Sequence, residues 1–177
     1  TTGHDTWIAG IIASRGGLAY PDEIGAAPGV DIFSERVATI EGGISSTYIE
    51  NALNNLVNQN CRVIFTGFQI NPADVTPDGA SLWTRIYDYY ADTYNLVLVN
   101  AAGNKHDGNG NLVANNVTVF GDAYNGITTG GLDVVEPSVW RKVGIESLPG
   151  YTADERRKPE LVAPSQNQTM PNSSSDT

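Results

Sequence analysis

The spacing of hydrophobic residues along the chain predicts three helices. The first begins at His4 and ends near Ala13, with isoleucines at helical spacing and a face of small residues that suits a buried helix. The second runs from a cap at Ser45 or Ser46 to about Asn58, and its hydrophobic residues recur at positions i, i+3, i+4 and i+7. A third amphipathic stretch carries Leu82, Ile86, Tyr89 and Tyr90.

Shorter apolar runs between these helices predict strands. We expect strands at about 30–38, 63–65, 96–101 and 117–120, and a last one at Leu161–Pro164 that the proline ends. The runs at 63–65 and 96–99 do not alternate with polar residues, which is typical of strands buried on both faces. Strands that alternate with helices predict a doubly wound, mainly parallel α/β sheet with helices on both faces.

The length of 177 residues favours a single domain. We expect residues 1–123 to form the parallel α/β core and 124–155 to be an irregular insertion, with a hairpin around Gly130-Gly131. Residues 156–164 would return to the sheet as a strand, and 165–177 would be a polar tail.

Charge restricts the partners of this chain. Ten Lys and Arg against twenty Asp and Glu give a net charge of −10. Acidic residues flank the basic cluster at 156–158, and phosphate binding needs clustered Lys and Arg, so we expect no nucleic-acid partner. No stretch approaches the ~20 apolar residues of a membrane span, so we expect no membrane partner.

Two residues stand where a parallel sheet concentrates function, at strand carboxyl ends and at the helix N-termini that face them. Asn104 follows the strand that ends near Ala101, in a glycine-containing turn from which its side chain can point into a cleft. His4 begins the small-residue helix, where a neutral imidazole can accept a proton as a general base. Taken singly, each also has an ordinary explanation as a turn residue or a helix-start residue.

Four blocks of sequence, in order, resemble the subtilisin-like serine peptidases. Residues 3–13 (GHDTWIAGIIA) look like the family's histidine motif, H-G-T-x-V-A-G-I-I-A. Residues 26–28 (AAP) and the run after them resemble the turn and strand G-V-A-P-x-A-x-L, and 97–104 (VLVNAAGN) resemble the strand that ends in A-A-G-N. Residues 154–164 (DERRKPELVAP) resemble D-G-R-x-K-P-D-L-V-A-P-G, which precedes the family's nucleophile motif.

The resemblance implies a serine endopeptidase of the Ser/His/Asp type. His4 would be the general base that takes the proton of a serine hydroxyl, and Asn104 would donate a hydrogen bond to the oxyanion. An extended peptide or protein substrate would pair with the strand around Val63–Gln69. Gly67, Phe68 and Gln69 of this strand stand in a stretch that usually holds a Ser and a Gly. The bulkier side chains there would reshape the groove. We expect no cofactor apart from an optional structural calcium, and a secreted or extracellular location.

The chain departs from the family in its catalytic triad. The family's Asp lies in a D-[ST]-G motif before the His, and its Ser lies in a G-T-S-x-A motif after the 161–164 block; neither motif occurs here. None of the serines at 173–175 has that context. We therefore expect a fragment from the middle of the catalytic domain, incomplete at both ends and inactive alone. Asp5 and Ser165 also stand where the family has Gly.

Two hypotheses from other classes stay open. A non-catalytic subtilisin-like module, for peptide binding or for structure, would fit Asp5 and the altered groove. A metal site would use the pairs His4-Asp5 and His106-Asp107, although these pairs lie about a hundred residues apart with no recognised ligand spacing. Residues 107–111 faintly resemble a calcium loop but lack the Glu that closes one.

Overall fold

A computed structural model of the protein shows two compact units along the chain. One unit contains Thr1–Ser34 and Asn167–Thr177, and the other contains Glu35–Gln166. The residues that the structure describes are 3–18, 20–39, 43–70, 75–106, 111–112, 114, 116–136, 139–143, 147–148 and 150–165.

The first unit contains the predicted N-terminal helix. Helix α1 spans His4–Ala13, as the spacing predicts, but none of its residues is buried, so the predicted burial is wrong. Backbone hydrogen bonds join the end of α1 to the segment that follows it: Ala26 N and Ala27 N donate to the carbonyls of Ile11 (2.9 Å) and Ile12 (2.7 Å). These bonds satisfy carbonyls that the end of a helix leaves without partners.

The predicted strand at 30–38 does not form. Residues 31–37 have no strand pairing, and only a single bridge joins Ala38 to Ile44. Val30, Ile32 and Phe33 are exposed. A strand needs a neighbour for its backbone groups, and no described strand lies beside this run.

The two amphipathic helices of the second unit form as predicted, but Leu82 and Tyr89, predicted for the hydrophobic side of the later helix, are 60% and 59% exposed. Helix α2 spans Ser46–Asn58, and the Ser45 hydroxyl accepts from Tyr48 N at 3.2 Å. Helix α3 spans Leu82–Tyr94, and the Ser81 hydroxyl accepts from Thr84 N at 3.1 Å. Side-chain oxygens at these positions satisfy donors that the first turn leaves without partners. No helix among the described residues is both long and apolar enough to cross a membrane.

The second unit is built on a sheet with four parallel strands, which confirms the predicted α/β class. In chain order the strands are β1 (Val63–Thr66), β2 (Val97–Ala101), β3 (Gly126–Glu136), β4 (Val139–Val143), β5 (Gly150–Tyr151), β6 (Arg157–Lys158) and β7 (Leu161–Pro164). Thr129 of β3 pairs with Ala101 on one side and Leu161 on the other, so the parallel strands run β1-β2-β3-β7. Strand β4 pairs antiparallel with β3, and β5 pairs with β6 in a separate two-stranded sheet.

Strand β3 lies inside residues 124–155, which the sequence predicts to be an irregular insertion. Gly130 and Gly131 are interior residues of this strand, so the predicted hairpin at that position is wrong. A β carbon on Gly130 would lie 2.9 Å from Pro159 Cγ, and one on Gly131 would lie 2.4 Å from Ser165 Oγ. The glycines therefore mark the close approach of neighbouring segments rather than a turn.

Strands β1 and β2 are buried on one face only, so the expectation of strands buried on both faces is wrong. Ile64 and Leu98 are buried, whereas Val63 and Val97 are 63% and 45% exposed. The buried face joins a core with residues of α2 and α3 and with Phe120. Within this unit the opposite face of these strands is exposed.

Residues 117–120 are buried but do not form the predicted strand. Val119 makes a single bridge to Ile70, and Phe120 has a positive φ of 45° that ends the extended run. Each of the four side chains is at most 1% exposed. Their hydrophobic run therefore reflects burial in the core without strand pairing.

Candidate functional site

A cavity of about 250 Å³ lies where β2 ends, at the carboxyl edge of the parallel strands. Residues 101–104 form one wall, and Thr129, Gly131 and Asp133 of β3 form another. Ser147 and Ser165 complete the described lining. This edge is where α/β sheets usually bind ligands, and Asn104, predicted from the sequence, lies on it with an exposed side chain.

The turn that carries Asn104 is fixed by its backbone. Ala102 N donates to Thr129 O at 3.0 Å, and Thr118 N donates to Ala102 O at 3.0 Å. Leu148 N donates to Gly103 O at 3.3 Å, and Asn104 N donates to the Gln69 side-chain Oε1 at 2.6 Å. Three consecutive peptide groups, from Ala101 to Asn104, are therefore held in place. The first bonds to Thr129, the second to Thr118, and the third to both Leu148 and Gln69. An exposed amide on a fixed backbone is suited to stabilise a developing negative charge.

The three residues predicted to contact substrate have different surroundings. The Phe68 ring packs edge-on against buried Phe120, with ring centroids 5.5 Å apart, so its bulk contributes to the core. The Gln69 side chain accepts from Asn104 N at 2.6 Å, and Asn104 lines the cavity. Gly67 is half-buried just after β1. Substrate contact by these three residues stays a prediction.

His4 belongs to the first unit, where it is the first residue of α1. Its side chain is exposed, and its ring lies edge-on to Trp7 with centroids 6.4 Å apart. Asp5 occupies the first helical turn, where a carboxylate is favoured by the helix dipole. Because His4 and Asn104 belong to different units, their sharing of one site stays a prediction.

The cavity also contains Ser147 and Asp133, which the sequence did not single out, together with Ser165. Ser147 accepts from Gly131 N at 2.8 Å, and Ser165 donates to Leu132 O at 3.2 Å. Asp133 contributes the acidic residue of the lining. No local motif marks Ser147, because strand pairing and loops bring it to the cavity from a distant position in the sequence.

The described residues contain no group of three or more His, Cys, Asp or Glu side chains arranged to hold a metal ion. Residues 107–110, which carry most of the calcium-like loop and half of the second His-Asp pair, lie outside the described residues. His106 bridges to Leu112 across that loop. The metal and calcium hypotheses therefore gain no support from the part of the chain that the structure describes.

Comparison with known proteins identifies similar sequences and structures. The model of the subtilase family, Peptidase_S8, matches residues 1–177. The prenylagaramide maturation protease PagA is similar in structure, with a TM-score of 0.56 and 20% identity over 97% of this chain and 56% of that one. The MycP3 protease from the type VII (ESX-3) secretion system matches with a TM-score of 0.53 and 21% identity over 73% of this chain and 43% of that one.

This chain thus spans about half the length of these two structures. A search of curated proteins finds no match. At these identities the structural likeness shows the fold, an α/β arrangement with parallel strands, and the family model covers the whole chain.

Proposed function

Because the chain belongs to the subtilase family, we propose that it is part of a serine endopeptidase that hydrolyses peptide bonds by Ser/His/Asp acyl transfer. The observation that supports this best is the Asn104 turn. An exposed side-chain amide follows a fixed backbone at the rim of a cavity of about 250 Å³. An oxyanion donor needs this combination, because it must be in place before the charge develops.

In this proposal the residues present divide the chemistry between two groups. The His4 imidazole accepts the proton of the serine hydroxyl as that oxygen attacks the scissile carbonyl, and it then passes the proton to the leaving amine. The Asn104 side-chain amide donates to the carbonyl oxygen as it becomes negative. The serine and the aspartate come from motifs that these 177 residues do not contain, so this chain alone is expected not to hydrolyse peptides.

The proposed substrate is an extended peptide or protein segment. Among the described strands β1 pairs only with β2, and we propose that its other edge receives the added strand. A peptide that pairs there continues along 67–69 toward the Asn104 turn, with backbone hydrogen bonds as its main contacts.

The test uses the complete protein encoded by the reading frame that contains these residues. We expect His4→Ala to abolish hydrolysis of a peptide library, and Asn104→Ala to lower kcat by about 10²–10³-fold with the fold intact. Asn58→Ala, at the exposed end of α2, is the matched control and should keep full activity. Full activity of the His4→Ala protein would contradict the proposal.

A non-catalytic peptide-binding module is the second candidate, favoured by Asp5 in the turn after His4, where the family motif has Gly. It predicts peptide binding without turnover. Sequencing on both sides of the 177 residues separates the two candidates. A D-[ST]-G motif upstream and a G-T-S-x-A motif downstream support the peptidase, and the absence of either favours the binding module.

A further inference from the structure

We infer that Gln69 is a positioning residue for Asn104, and that its side-chain carbonyl fixes the peptide from which the Asn104 amide projects. The inference rests on the proposed function, because it assigns Gln69 a part in the same reaction. It gives Gln69 a role different from substrate contact, since the side chain acts through Asn104.

The peptide between Gly103 and Asn104 is held at both ends. Its carbonyl accepts from Leu148 N at 3.3 Å, and its N–H donates to Gln69 Oε1 at 2.6 Å. A peptide held at one end alone can rotate and carry the Asn104 side chain with it. The bond to Gln69 removes that freedom before any substrate is bound.

The Gln69 side chain also occupies space that only a glycine leaves open. A β carbon on Gly103 would lie 2.7 Å from Gln69 Oε1 and 2.5 Å from Thr118 Oγ1. The amide oxygen of Gln69 therefore lies directly against the bare α carbon of Gly103. Gln69 itself is half-buried, whereas Asn104 is exposed, so the bond lies at the surface of the protein.

The segment that carries Gln69 is anchored on both sides. Phe68 packs on Phe120, which is 1% exposed, and Ile70 bridges to Val119, which is also 1% exposed. These contacts fix the backbone on both sides of Gln69, so only the side-chain torsions of Gln69 have to be ordered when its hydrogen bond forms. Gln69 is thus a firm support for the turn.

The chemistry of an amide side chain suits this position. A carbonyl oxygen accepts from the Asn104 N–H, and it carries no net charge. A carboxylate would place negative charge beside a site that must stabilise a negative oxygen. An alkyl side chain would leave the N–H without its acceptor.

The test is a double-mutant cycle in the complete protein with a peptide substrate. Gln69→Met keeps the length of the side chain and removes the acceptor. We expect kcat to fall about 10-fold with KM within about 2-fold, because the lost interaction acts in the transition state. In the Asn104→Ala background the same change should lower kcat by less than about 2-fold, since the effect passes through Asn104. Gln59→Met, at the exposed end of α2, should change neither constant.

Amide hydrogen exchange at Asn104 gives a readout that does not depend on activity. We expect the Asn104 N–H to exchange faster in Gln69→Met than in the wild-type protein. In Gln69→Glu, which keeps an acceptor oxygen, exchange should stay slow. The Glu variant also provides a measurement if the Met variant does not fold. Equal losses of kcat in both backgrounds, or a raised KM at unchanged kcat, would overturn the positioning role. If the wild-type protein hydrolyses no peptide, the proposed function fails, and unchanged exchange would separately overturn the contact between Gln69 and Asn104.

Discussion

Gly103 and Gly150 share an unusual backbone conformation and differ in the space around them. Their φ angles are +101° and +122°. A β carbon on Gly103 would lie 2.5 Å from Thr118 Oγ1, whereas one on Gly150 would meet no described atom within 4 Å. We expect Gly150→Ala to lower the free energy of unfolding by about 1–3 kcal/mol through backbone strain alone.

Gly103→Ala carries the same strain and an overlap in addition, so we expect it to cost about 1–3 kcal/mol more than Gly150→Ala. Urea denaturation of both variants measures the difference. Equal losses of unfolding free energy in the two variants would contradict this expectation, because they would show that the Gly103 turn can shift to accommodate the added methyl group.

Asp122 is a buried carboxylate that contacts residues at the start of α3. It is fully buried and accepts from Gly79 N at 2.9 Å and from the Thr84 hydroxyl at 2.9 Å. Burial raises the pKa of Asp122 above its ordinary value, although these hydrogen bonds oppose the shift. The folded protein therefore holds this proton more tightly than the unfolded chain.

The protonated Asp122 carboxyl therefore contributes fully to the free energy of unfolding below the ordinary carboxyl pKa, about 4. This contribution is lost as the pH rises through the raised pKa of Asp122 in the folded protein. We expect the free energy of unfolding of the native protein, relative to Asp122→Asn, to fall over that range and then become level. Urea titrations at a series of pH values measure it. Asp92→Asn, which removes a charge from the exposed side of α3, is the control. A difference that does not change with pH would contradict the assignment.

At the scale of elements, the sequence predicts what local pattern determines. Helices α2 and α3 follow from hydrophobic spacing within each segment, and α2 also from its predicted serine cap. Strand β3 was not predictable in this way, because its Gly130-Gly131 pair resembles a turn in the sequence. In the structure these glycines leave space for Pro159 and Ser165, which come from a distant segment. Burial of one face of β1 likewise depends on which elements pack beside it, and the four-residue run carries no such information.

Lys158 links the segment before β7 to the start of β3. Its ammonium group is buried, donates to Gly126 O at 2.9 Å and forms an ion pair with Glu160. Lys158→Met leaves that buried carbonyl without its donor, so we expect a loss of about 1–3 kcal/mol in the free energy of unfolding. The neighbouring Arg157→Met, on an exposed residue, should cost less than about 0.5 kcal/mol. Similar losses for both would contradict a structural role for the Lys158 contact.

At the scale of the whole molecule, charge influences stability. With a net charge of −10, the folded chain repels itself, and salt screens that repulsion. We expect the melting temperature to rise between about 20 and 200 mM NaCl at neutral pH. Near the sequence pI of about 4.4 the rise should be much smaller. An equal rise of the melting temperature at both pH values would show that salt strengthens hydrophobic burial and does not act by screening charge.

The candidate site also depends on contacts between distant parts of the chain. Asn104 was predictable, because a strand followed by Ala-Ala-Gly-Asn is a local pattern. The contacts that fix it were not, since Gln69, Thr118 and Leu148 come from separate parts of the chain. Gln69 was predicted as a residue of the groove, and its bond to the Asn104 backbone depends on the relative placement of two segments 35 residues apart.

The fixed turn at 102–104 has a consequence for the temperature dependence of the proposed reaction. Its residues lose their conformational freedom when the protein folds, at a cost of about 1–2 kcal/mol each. No further ordering of this turn is required when the substrate reaches the transition state. In the proposed reaction the backbone of this turn therefore contributes little to the activation entropy of acylation, and the ordering that remains here is that of the exposed Asn104 side chain.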